Sequence, residues 1–99
     1  MTLTFKPDRV LYDPQERLLR LFATDGEVPV RCAISKAALT ALEDDALGGP
    51  HAMIITYRRN REHIEAIAQR KYRRRWFEPS GDLIVRLEDV NALKQSVVS

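Results

Sequence analysis

The segment Arg70-Lys71-Tyr72-Arg73-Arg74-Arg75-Trp76-Phe77 sets five cations beside three aromatic rings. Guanidinium and ammonium groups neutralise phosphates, and aromatic faces stack on exposed bases. The composition is therefore that of a nucleic-acid or anion contact made by Arg70, Lys71, Arg73, Arg74, Arg75 and Trp76. Spacing argues the other way. On a continuous helix these cations point in nearly every direction around the axis and form no stripe that could follow a phosphate backbone. The competing expectation is structural: the cations satisfy the carbonyls and negative dipole end of a helix C-terminus, while Tyr72, Trp76 and Phe77 anchor the turn that follows.

Arg61 raises a different question, because it and Asn60 fall within the apolar arc of a helix. A guanidinium there must be paired or must snorkel to the rim. Glu43, Asp44 and Asp45 are the candidate partners, and the expectation is a structural ion pair at Arg61 that clamps two helices together, ahead of an anion site. His51 and His63 stand twelve positions apart in no HxxxH or HExxH pattern, so no metal ligand is assigned. The acidic trio lacks the alternating oxygen ligands of a calcium loop. Cys32 follows Val28 and Val30 on an inward face, where a thiol behaves as a small hydrophobe whose pKa rises. No GxSxG, GxxxxGK[ST] or GxGxxG occurs, and Gly48-Gly49-Pro50 has neither the preceding strand nor the lysine of a phosphate loop. No catalytic, cofactor-binding or metal residue is assigned, and no cofactor is expected.

The elements that must position these groups can be read from the turns. Asp13-Pro14-Gln15-Glu16 fits a type I turn between strands at about Arg9–Tyr12 and Arg17–Ala23. Asp25-Gly26 fits a two-residue type I′ hairpin. That turn sets Ala23 opposite Val28, Leu21 opposite Val30 and Leu19 opposite Cys32, an all-apolar face. The other face pairs Phe22 with Pro29 and Arg20 with Arg31, a like-charge pair that needs solvent or a carboxylate close by. Through the first turn Val10 falls opposite Leu19, and Thr2–Lys6 can add a further short strand. Ser35 is placed to cap a helix running to about Asp45. Pro50 opens a second helix, in which Met53, Ile54, Tyr57, Ile64, Ile67, Ala68 and Tyr72 share an arc of about 140°. Glu78–Asp82 reads as a turn, Leu83–Leu87 as a strand, and the residues after Asp89 as a short helix or a frayed tail.

These elements make an α+β domain, an antiparallel β-meander packed against two helices with a further C-terminal strand. Ninety-nine residues, 44% apolar and 30% charged, suffice for one core. The expected division is a single domain over 1–90 and a short helix or tail over 91–99. The net charge of +2 conceals a segregation of −2 over residues 1–57, +6 over 58–75 and −2 over 76–99. One localised positive surface is the consequence. The longest aliphatic run, Ala52–Ile55, is far too short to span a membrane, and the first residues lack a basic and apolar leader. With Cys32 as the one cysteine, the expected compartment is the reducing cytoplasm.

Taken together, Tyr12 followed by Arg17, the Phe22 strand, Val30-Arg31-Cys32-Ala33-Ile34-Ser35 leading to Ala38-Leu39, Asn60-Arg61 with Ile64, Ala68 and Tyr72, and Glu78-Pro79 with Gly81 form a recognisable pattern. The pattern resembles a small bacterial family, domain of unknown function (DUF) 1488, over nearly the whole chain to about Val90. These are structural positions, so the resemblance implies a fold and carries over no activity or catalytic residue. The arginine density at 73–75 is where this chain stands apart from it. The expected role is a small non-catalytic interaction or accessory module with a protein partner or as a homodimer. The alternative is a weak nucleic-acid-binding protein using the basic segment 70–75.

Overall fold

Leu19, Leu21 and Ala23 alternate with polar or exposed neighbours along one strand, and the sheet is organised around that strand. The computed structural model describes residues 2–43 and 48–98, with side chains of the last helix described to Ala92. Strands β1 (Leu3–Asp13), β2 (Leu18–Asp25) and β3 (Val28–Ser35) form an antiparallel meander. Helices α1 (Lys36–Leu42), α2 (Pro50–Arg59) and α3 (Arg61–Arg73) follow, then β4 (Leu83–Val85) and α4 (Leu87–Val98). The sheet order is β1-β2-β3-β4, with β4 parallel to β3, which makes a mixed sheet of mostly antiparallel strands in an α+β fold. A parallel neighbour requires a long crossover, and the three intervening helices supply it.

One face of the sheet carries the core. Leu19, Leu21, Cys32, Ile34, Leu83 and Val85 meet Ala38, Leu39, Met53, Tyr57, Ile64, Ile67, Ala68 and Val90 from the helices. At ~1.5–3 kcal/mol per fully buried large aliphatic side chain, this layer is the main source of stability. On the opposite face Leu18, Ala33 and Ile84 form a small buried cluster of their own. Leu11 and Phe22 remain 60% and 48% exposed there.

Three local differences from the sequence reading have physical reasons. The second hairpin turns on Gly26-Glu27, because Asp25 pairs with Val28. Gly26, at φ 62°, takes the first central position that a type II′ turn reserves for glycine. Moving the turn by one residue slides every partner by two, so the faces are unchanged but the pairs become Ala23–Val30, Leu21–Cys32 and Leu19–Ile34. Arg20 now faces Ala33 and Phe22 faces Arg31, which relieves the like-charge pair. In the first hairpin Val10 meets Leu21 and Tyr12 meets Leu19. The segment from Leu3 is one strand with a register shift between Phe5 and Val10, where Pro7 lacks a ladder donor.

The long helix expected from Pro50 to Tyr72 is two helices, broken at Asn60 with φ −111° and ψ 17°. The Asn60 amide donates to Thr56 O at 2.9 Å and to Glu43 Oε2, so a local side-chain bond competes with the helical path. Periodicity missed the break because both halves turn their apolar arcs to the same core. Ser35 caps α1 as expected, accepting from Ala38 N–H at 3.1 Å. That helix ends at Leu42, and Asp44 and Asp45, which its expected end included, lie outside the described residues. Leu87, expected in the last strand, instead opens α4, where Asp89 Oδ2 accepts from Arg86 N–H at 2.8 Å as half a capping box. That helix begins before residue 91, and Val90 packs into the core.

Candidate nucleic-acid interface

The end of α3 is a Schellman cap closed by an arginine. Arg75 N–H donates to Tyr72 O at 3.1 Å and Trp76 N–H to Lys71 O at 2.9 Å, with Arg75 at φ 56°, the position glycine normally holds. This cap reverses the chain and thrusts Trp76 and Phe77 outward, 52% and 39% exposed. Phe77 packs edge-on against Tyr72, with ring centroids 6.1 Å apart at 89°. Tyr72 OH in turn donates to Asp25 Oδ2, tying the helix end to the second hairpin. That bond, with burial and the Asp25 charge, raises the Tyr72 pKa.

The cations of this segment separate into two groups. Lys71 is buried, its ammonium donating to Ile84 O at 2.8 Å and Asp89 Oδ2 at 2.7 Å, so it joins α3 to β4 and α4. Arg70, Arg73, Arg74 and Arg75 are exposed, and among the described residues no carboxylate pairs with them. At 100° per residue Arg70, Arg73 and Arg74 span about 100° of the helix surface. With Ala66 and Gln69 they line one shallow depression. Arg74 Cζ lies 5.0 Å from the Trp76 ring centroid, a cation–π contact that supports the indole. Lys71 turned inward and Arg75 set beyond the helix leave a one-sided patch, which spacing on an unbroken helix did not predict.

Arg61 is exposed at the start of α3 and pairs with Glu65 at 3.0 Å, four residues on. Of its three expected partners, Glu43 is held by Arg59 at 3.5 Å and by the Asn60 amide. The link between helices thus runs through Asn60 and Arg59. Glu65 also accepts from Tyr57 OH at 3.2 Å, and burial together with this carboxylate pushes the Tyr57 phenol up. His51 and His63 are exposed. Cys32 is buried, and burial, then the Asp82 charge, pushes its thiol up to about 12. Among the described residues no group of three or more His, Cys, Asp or Glu side chains converges to hold a metal ion, and no helix is long and apolar enough to cross a membrane.

Sequence reasoning missed Asp82. Its buried carboxylate sits between Arg31 Nε, 2.7 Å from Oδ1, and Arg20, 3.8 Å from Oδ2, while Ser80 OH donates to Oδ2 at 3.1 Å. The Arg31 contact lacks hydrogen-bond alignment, so it is an electrostatic one. Arg20 also reaches Asp13 at 3.1 Å, and Asp13 Oδ1 accepts from the N–H groups of Gln15 and Glu16. The Glu16 N–H, aided by Arg20, holds the Asp13 carboxyl below the usual carboxylate range. The signal was present in the sequence: two arginines on neighbouring strands demand an anion, and Asp82 immediately precedes the strand beside them.

The profile of the family described as protein of unknown function (DUF1488) matches residues 3–85. A crystal structure of a DUF1488-family protein of unknown function from Shewanella loihica PV-4 is similar in fold, with a TM-score of 0.77 at 18% identity, covering 85% of this chain and 91% of that one. No curated protein matches the chain.

Proposed function

The chain belongs to the DUF1488 family, and from that premise we propose that it is a small cytoplasmic, non-catalytic interaction module whose partner is nucleic acid, met through the outer side of α3. One observation carries the reading. Arg70, Arg73 and Arg74 share a side of the helix without carboxylate partners among the described residues, beside a half-exposed Trp76. Unpaired guanidinium groups keep their full charge for phosphates, and an indole face adds sequence-tolerant stacking. The patch lies within the segment that holds the +6 excess of residues 58–75.

Labelled oligonucleotides titrated at increasing salt test it. If about four phosphates are neutralised, log affinity falls against log salt with a slope of about −3 to −4, depending on strand type. Replacing Arg70, Arg73 and Arg74 together by Ser removes most of that slope. Binding unchanged in this variant, or absent at low salt in the parent, overturns the reading.

A protein partner or a second copy docking on the open part of the second sheet face, around Leu11 and Phe22, is the other reading. It is favoured by the exposure of Leu11 and Phe22 on that face, where large apolar groups cost solvation unless covered. Capture from native extract that survives nuclease and is lost on Phe22→Ser is the result that supports it over the first.

A further inference from the structure

We infer that this site takes single-stranded nucleic acid, with a few phosphates of one strand along the outer side of α3 and an unpaired base stacked on Trp76; the inference rests on the nucleic-acid reading above. Reach is the first argument. Arg70 to Arg74 covers about 6 Å of helix axis, so the three guanidinium groups address a few consecutive phosphates of one strand. A helix that reads duplex DNA enters a major groove about 12 Å wide and contacts base edges through its N-terminal residues. Here the arginines cluster at the C-terminal end, whose dipole is negative, and phosphate must be met laterally by side chains. The chain then reverses at Arg75, and the exposed Trp76 and Phe77 project at the helix end, where a groove wall would otherwise close in.

Stacking is the second argument. A base inside a duplex has both faces covered by its neighbours, so an exposed indole offers it nothing without unstacking. An unpaired base gains a ring face directly, at ~1–3 kcal/mol by alanine substitution. Trp76 is suited to this, for Arg74 supports its ring at 5.0 Å while half of its surface stays open to solvent. Phe77, engaged edge-on with Tyr72, is the less available of the two.

Trp76 is the one tryptophan of the sequence, so its emission reports the site directly. The parent protein is titrated with a twelve-nucleotide oligothymidylate, with a hairpin duplex of equal phosphate count and with an abasic strand, each at about 50 mM salt. Expected are quenching by oligothymidylate, affinity at least about tenfold weaker for the duplex and the abasic strand, and a salt slope of about −2 to −3 for three or four phosphates on a single strand. Trp76→Leu keeps apolar cover but loses the ring, and should weaken oligothymidylate about 5- to 100-fold by anisotropy; Trp76→Phe should recover most of the loss. Duplex bound as tightly as single strand, unaltered emission on binding, or parental affinity in Trp76→Leu overturns the single-strand inference and leaves the phosphate contact standing. Failure of every oligonucleotide to bind removes the nucleic-acid reading itself.

Discussion

Lys71 Nζ lies 2.7 Å from Asp89 Oδ2 and 2.8 Å from Ile84 O, so one cation of the basic run closes the fold instead of facing solvent. The ammonium caps a carbonyl of the short β4 and fixes the start of α4 through the same carboxylate that accepts Arg86 N–H. Lys71→Met keeps the aliphatic stem and removes the charge, leaving Asp89 and the Ile84 carbonyl short of a donor. The expected loss is about 2–4 kcal/mol in urea unfolding, because breaking a buried pair strands the partner. Oligonucleotide affinity of the folded variant should stay within about twofold of the parent. A tenfold fall in affinity with unchanged stability would show that Lys71 contacts the ligand.

Arg75 holds the left-handed C′ position of α3 at φ 56°. An L side chain there costs about 1–2 kcal/mol, which glycine avoids at the expense of a more flexible unfolded chain. Arg75→Gly should therefore stabilise by about 0.5–1 kcal/mol, a rise of ~2–8 °C in Tm for a domain of this size. Arg75→Val should destabilise, since a branched Cβ fits that region least. Calorimetry on the three proteins checks the order Gly, Arg, Val.

Cys32 makes stability fall at alkaline pH. Its folded pKa, about 12, lies above the unfolded value of 9.0. The folded state thus holds the proton more tightly, and the contribution is fully present below pH 9 and lost as pH rises toward 12. The slope within that window is up to about 1.4 kcal/mol per pH unit. The raised Tyr57 phenol acts in the same direction. Cys32→Ala should flatten the decline between pH 9 and the alkaline limit, measured as urea midpoint against pH. The same burial predicts that a disulfide reagent labels Cys32 in native protein only at the rate of unfolding.

Asp82 anchors both arginines of the sheet face opposite the main core, 7% exposed against 31% for Arg20 and 69% for Arg31. Asp82→Asn should cost about 1–2 kcal/mol, while Arg31→Ala costs well under 1 kcal/mol because that cation is largely solvated and Arg20 remains. Urea midpoints that reverse this order would show that Arg31, not the buried carboxylate, holds the network. Added salt should shrink the Arg31 effect more than the Asp82 effect.

The alternation of β2 and β3, the cap at Ser35, the helix start at Pro50 and the inward placement of Cys32 are legible in the residues alone, because each follows from a period or a turn chemistry complete within a few residues. So is the place of the basic, aromatic segment. Which cations of that segment lack a carboxylate partner among the described residues depends on long-range packing. Lys71 turns inward because β4 and α4, more than ten residues later, supply a carbonyl and a carboxylate, and no local spacing encodes that meeting. The anchoring of Arg20 and Arg31 by Asp82 is of the same kind, settled by a partner distant in the chain, and the break at Asn60 joins a local bond to Thr56 O with a distant one to Glu43, so that satisfying polar groups outweighs the helical period.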